Sequence, residues 1–102
     1  MTEDELELEI QSKKLDAPRL TPELIDSIIV GETYTVLPSK RTMICELTLK
    51  NGFTVRGESS CVSIENFNQE LGEKISKADA RDKLWQLEGY LLKQSLYLNN
   101  KD

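Results

Sequence analysis

No histidine occurs in the 102-residue chain. Nucleophilic catalysis through a Ser–His or Cys–His pair is therefore excluded. Cys45 and Cys61 are the only cysteines, and two thiols without an imidazole make a poor metal site. No apolar run approaches the roughly 20 residues needed to span a bilayer. Nothing resembles a signal peptide. No Walker loop or dinucleotide fingerprint appears, so no cofactor is implied. A basic excess is also missing: the formal net charge is −5. The chain is long enough for one domain with one modest core.

The negative charge has a local origin. Glu3, Asp4, Glu5, Glu7 and Glu9 precede the first basic residue, Lys13. The remaining 13 acidic and 13 basic residues cancel. Residues 1–15 thus form an acidic N-terminal arm on an electrostatically mixed body. Neither offers the basic footprint of a DNA- or RNA-binding surface. The arm reads as a solvated tail or as an acidic contact surface.

What is present is sharper. Asn51-Gly52 lies between two strand-like runs, Thr42 to Lys50 and Phe53 to Ser59. An Asn-Gly pair in that setting marks a β-hairpin. A two-residue loop would set Leu47 against Arg56 and Thr48 against Val55, leaving no common apolar face. A three-residue loop, Lys50-Asn51-Gly52, sets Leu49 against Phe53, Leu47 against Val55 and Cys45 against Gly57. Met43, Cys45, Leu47, Leu49, Phe53 and Val55 then share one face. Glu46 meets Arg56 on the other, a favourable cross-strand pair. The three-residue loop is the expectation, with Gly52 left-handed in a bulge. In this register Cys61 lies about four residues past Gly57. At roughly 3.3 Å per residue that is beyond disulfide reach of Cys45. Two free thiols fit a reducing compartment.

Helical signals flank the hairpin. Residues 3–14 can form a short helix with Leu6 and Ile10 on one face, followed by an extended connector through Asp16 and Pro18. Thr21-Pro22-Glu23 is a strong helix start, and Gly31 is the natural stop, so a helix is expected at about 22–30. Glu32 to Val36 reads as a short strand and Leu37 to Lys40 as a turn. Asn68 can cap a long helical pattern, in which apolar residues from Phe67 to Leu96 recur at close to 3.6. Ser76 and Asp79 resemble a capping box. The segment 69–96 is therefore one helix or two broken near 76. An unbroken helix, roughly 40 Å long, would overshoot a domain of this size. Gly89, within it, suggests a close packing contact.

The fold expectation is α+β: a small antiparallel β-hairpin or three-stranded meander packed against helices, with a long C-terminal helical segment. Two candidate surfaces emerge. Glu46, Thr48, Arg56 and Glu58 line the polar sheet face, which is either a binding surface or an ordinary solvated face. Trp85, Glu88 and Tyr90 lie on the last helix, as core packing or as the walls of a pocket.

The chain resembles a family of short tailed-phage proteins, the phage gp forty-nine/sixty-six family. The resemblance runs from about residue 5 to 96. It is carried by Ala17 to Pro22, Leu47 to Val55, Gly57 to Ser59, Glu65 to Phe67, Glu70 to Gly72, and Leu84-Trp85 with Leu87 to Leu92. It implies a bacteriophage or prophage origin and action in the host bacterial cytoplasm. It brings no catalytic or binding residue with it.

The leading functional expectation is a non-enzymatic phage accessory protein that binds a host protein, a defence or regulatory factor. The alternatives are a binder of a small nucleotide signal and a minor virion or assembly component. The expected partners are a second copy, as a homodimer, and that host protein, with no nucleic acid and no membrane.

Overall fold

The hairpin turn closes as the side chains require. The Gly52 N–H donates to Leu49 O at 2.9 Å, and the Leu49 N–H donates to Phe53 O at 2.9 Å. Gly52 has φ +89°, and a Cβ built there would meet nothing within 4 Å. The demand for glycine at this position is therefore one of dihedral alone. Asn51 Oδ1 accepts from the Phe53 N–H at 2.9 Å and locks the tip. Strands β2 (Thr42–Leu49) and β3 (Thr54–Ser60) pair with Thr48 opposite Thr54, Glu46 opposite Arg56 and Cys45 opposite Gly57. This is the three-residue-loop register.

The computed structural model describes residues 2–14 and 17–99. Met1, Leu15 and Asp16, parts of the expected arm and connector, lie outside the described residues. Before the hairpin come α1 (Glu3–Ser12), α2 (Pro22–Ile28) and β1 (Ile29–Val36); after it come a short 3-10 turn at Ile64–Asn66 and α3 (Gln69–Leu98). The sheet is an antiparallel meander in the order β1-β2-β3. With the long C-terminal helix it makes an α+β fold.

Two expectations need correction, and one open alternative is settled. First, α2 does not run on to residue 30. It ends at Ile28, and β1 starts at the next residue with a bulge between Ile29 and Gly31. The β-branched pair Ile29-Val30 favours extended backbone. The Ile28 carbonyl accepts from the Lys50 N–H at 3.0 Å, which ties the junction to β2. Second, Phe53 does not join the core. It is 57% exposed, at the hairpin tip, where it borders an open groove with Leu87 and Tyr90 of α3 instead of being enclosed. Of the two alternatives for the C-terminal segment, the single helix holds, with no break at 76. Ser76 is fully buried, and its Oγ donates to Gly72 O at 2.7 Å within one continuous helix.

The core explains that continuity. Met43, Cys45, Leu47, Leu49 and Val55 are buried on one sheet face, with Ile25 from α2. Above them α3 buries Gly72, Ser76, Ala80 and Leu84, one residue per turn. Small residues at three of these turns let the helix lie almost on the sheet. The approach is closest at Gly57. A Cβ there would stand under 3.0 Å from Ala80 N, Ser76 O and Asp79 C, all backbone atoms. Gly89 plays no such part, since a Cβ there would meet only Leu20 Cδ1, at 3.9 Å. Both thiols are free, Cys45 buried and Cys61 half-buried.

Thirty residues of helix span about 45 Å, longer than the sheet beneath. The molecule measures 52 × 31 × 20 Å, with a radius of gyration of 16.3 Å. A compact chain of this length would have about 13 Å. The excess is the distal part of α3, which runs on past the hairpin tip.

The acidic arm is a helix tied to the body. Thr2 and Glu5 form a capping box at its start. Arg81 holds Glu3 through two hydrogen bonds, of 2.9 and 2.5 Å, and reaches Asp26 of α2 at 2.6 Å. Arg19 grips Glu7 in the same forked way, at 2.6 and 2.8 Å. The guanidinium of Arg81 holds the Glu3 carboxyl below its usual range. Arg19, helped by Gln11, brings Glu7 down to about 2. Leu6, Ile10, Leu20, Pro22 and Trp85 line an open crevice of about 300 Å³ between α1 and α3.

Candidate functional site

The two edges of the sheet are treated differently. Along β3, the bonds from Leu49 N to Phe53 O and from Cys61 N to Arg41 O set the alternation. Val55, Gly57 and Ser59 therefore turn their backbone groups to β2, and Thr54, Arg56 and Glu58 turn theirs outward. Two side chains of α3 meet them there. Asp79 Oδ2 accepts from the Glu58 N–H at 2.9 Å. Lys83 Nζ donates to Arg56 O at 2.5 Å. The middle of this edge is thus capped by the helix that packs on it.

Edge β1 has no such cover. The Leu37 N–H donates to Thr42 O at 2.9 Å, so Thr33, Thr35 and Leu37 face β2. Glu32, Tyr34 and Val36 then point their N–H and C=O groups outward. Among the described residues no hydrogen bond reaches these outward groups. An open edge of this kind is a template for another strand.

On the helix side of β1 the side chains are tied together by hydrogen bonds. The Tyr34 hydroxyl donates to Glu32 Oε2 at 2.6 Å. Lys77 of α3 pairs with Glu32 Oε1 at 3.0 Å. Burial, then the Glu32 carboxylate, pushes the Tyr34 hydroxyl well above its usual range, so it stays a neutral donor. The same bond, with Lys77, keeps Glu32 ionised. Burial also raises the neighbouring Cys45 thiol. On the open face, Thr33 lies opposite Glu46 and Thr35 opposite Ile44.

The structure brings four of the seven candidate residues together. Glu46, Thr48, Arg56 and Glu58 share the open face, with Arg56 Nη1 and Glu46 Oε2 3.8 Å apart. Both of these are exposed enough that the pair contributes at most about 1 kcal/mol. Trp85 and Tyr90 do not share a pocket. Five residues of helix put them about 140° apart. Trp85 faces the α1 crevice. Tyr90 joins Phe53 and Leu87 in an open groove of about 460 Å³ at the hairpin tip. Glu88 lines neither. The β1 edge and the caps Asp79 and Lys83 were not candidates. The i,i+4 spacing of Asp79 and Lys83 was visible, but not that both reach a strand.

Among the described residues no group of His, Cys, Asp or Glu could hold a metal ion. No helix among them is long and apolar enough to cross a membrane. The model of the Phage protein (N4 Gp49/phage Sf6 gene 66) family matches residues 20–96. That stretch holds α2, the whole sheet and nearly all of α3. No curated protein and no solved structure matches. The chain belongs to this bacteriophage protein family.

Proposed function

We propose that this phage-family protein is a non-enzymatic accessory protein that acts by binding a host protein in the bacterial cytoplasm, the target being a defence or regulatory factor. The observation that supports this reading is the asymmetry of the sheet edges. One is capped by Asp79 and Lys83, and the other presents Glu32, Tyr34 and Val36 uncapped. An extended segment of the partner adds to β1 as a fourth strand. Main-chain bonds give the affinity, and the side chains beside the strand give the selectivity. Thr33 and Thr35 read one side of the added strand, and the Tyr34–Glu32–Lys77 row reads the other.

Val36→Pro tests this directly. The Val36 N–H points outward, so proline there removes no bond of the sheet itself, yet its ring blocks an incoming strand. The immobilised full-length chain is expected to capture a discrete host protein from lysate, identified by mass spectrometry. The Val36→Pro chain is expected to lose that capture while keeping its stability within about 1 kcal/mol. Undiminished capture by Val36→Pro, or no discrete partner with either chain, rejects the reading.

A further inference from the structure

The stripe of α3 that packs on the sheet does not stop where the sheet stops. Gly72, Ser76, Ala80 and Leu84 are buried. Leu87, Leu91, Gln94 and Leu98 continue the same line, about 20° of drift per heptad apart. From Leu84 the spacing is three, four, three, four, which is a heptad seam. Its leucines are 44%, 59% and 68% exposed at 87, 91 and 98. Tyr90, Tyr97 and Phe53 flank the seam and are exposed as well. Among the described residues, the chain's own fold leaves these side chains largely uncovered.

We propose that a second copy of this chain covers the seam, as an antiparallel helix pair about a two-fold axis passing between residues 92 and 93. The orientation follows from the sheet. Through Leu84 the seam is occupied by the chain's own strands. A parallel partner would bring its sheet to the same level on the same side, where the first sheet already stands. An antiparallel partner puts the two sheets at opposite ends and leaves only residues 87–98 in contact.

The layers are then Leu87 against the partner's Leu98 and Leu91 against the partner's Gln94, each occurring twice. Flanking positions set Tyr90 beside the partner's Tyr97 and Glu88 beside the partner's Ser95, so no like charges meet. A single polar residue in an apolar seam fixes register at some cost in stability. Gln94 fills that role. The area is modest. Two partly exposed tyrosines, at about 150–250 Å² each when whole, and three leucines supply several hundred Å². That is at or below the roughly 800 Å² per partner of a standard interface. An interface of this size is that of a reversible pair.

Sedimentation equilibrium at tens of micromolar is expected to show mass well above the 11.6 kDa chain. The double variant Leu91→Glu/Leu98→Glu is expected to remain at 11.6 kDa with an unchanged circular dichroism spectrum, since both residues are exposed in the single chain. Val36→Pro is expected to dimerise like the unaltered chain. In a Cys61→Ser background, a mixture of Leu87→Cys and Leu98→Cys chains is expected to form mixed disulfide dimers on mild oxidation. A monomeric unaltered chain, dimerisation that survives the double variant, loss of the dimer in Val36→Pro, or links only between like chains would each overturn the proposal.

Discussion

Gly57→Ala is expected to cost about 3 kcal/mol or more. The reason is the absence of anything soft around it. The new Cβ would stand under 3.0 Å from Ala80 N, Ser76 O and Asp79 C, which are all main-chain atoms of α3. No side chain can rotate away. Either α3 lifts from β3 or the strand bends, and either move opens the contact between Leu84 and the sheet. The loss is a large share of the roughly 5–15 kcal/mol that holds a domain together. Urea or thermal unfolding measures it, with a melting temperature lower by roughly 12–25 °C for a domain of this size. A loss below about 1 kcal/mol would mean that the helix does not lie on the strand at this point.

Leu84→Ala is expected to cost about 2–5 kcal/mol. Leu84 is fully buried between α3 and the sheet, beside the cluster of Ile25, Cys45, Leu47 and Val55. Seven residues on, Leu91 occupies the same stripe and is 59% exposed. Leu91→Ala is therefore expected to cost under about 0.5 kcal/mol at concentrations where the chain is monomeric. The contrast locates the end of the sheet beneath the helix. Equal costs at the two positions, measured by denaturant unfolding of dilute protein, would contradict it.

The hairpin was legible because it is local. Asn51-Gly52 names the turn, and the requirement that Cys45, Leu47, Leu49 and Val55 share a face leaves one register. The start of α2 was legible for the same reason, since Thr21 and Pro22 act within one turn of where they stand; the Thr21 Oγ1 accepts from the Leu24 N–H at 3.1 Å. The continuity of α3 was not legible. Ser76 and Asp79 have the spacing of a capping box, but their oxygens serve other groups. Ser76 bonds back to Gly72 within the helix. Asp79 caps a strand residue 21 positions away. Spacing shows that a hydrogen bond can form locally, and cannot show that a distant backbone group competes for it.

The candidate surface was legible to the same degree. The four polar residues of the sheet face follow from hairpin register alone. The uncovered β1 edge depends on where α3 crosses the sheet, which is set by Gly57, Ser76 and Ala80 packing across the chain. In the hairpin register Gly57 reads as the partner of Cys45, which says nothing of a helix lying over it. Trp85 and Tyr90 looked like neighbours because they are close in sequence, but five residues of helix turn them apart.

Residue-resolved hydrogen exchange of the isolated, dilute protein tests the central claim, that β1 is an open edge awaiting a strand. The amides of Thr33, Thr35 and Glu58 are expected to exchange slowly, the first two bonded within the sheet and the third to Asp79. The amides of Glu32, Tyr34 and Val36 are expected to exchange at rates near those of unprotected backbone. If those three prove as slow as Thr33 and Thr35, the edge is already covered, and strand addition at β1 is contradicted.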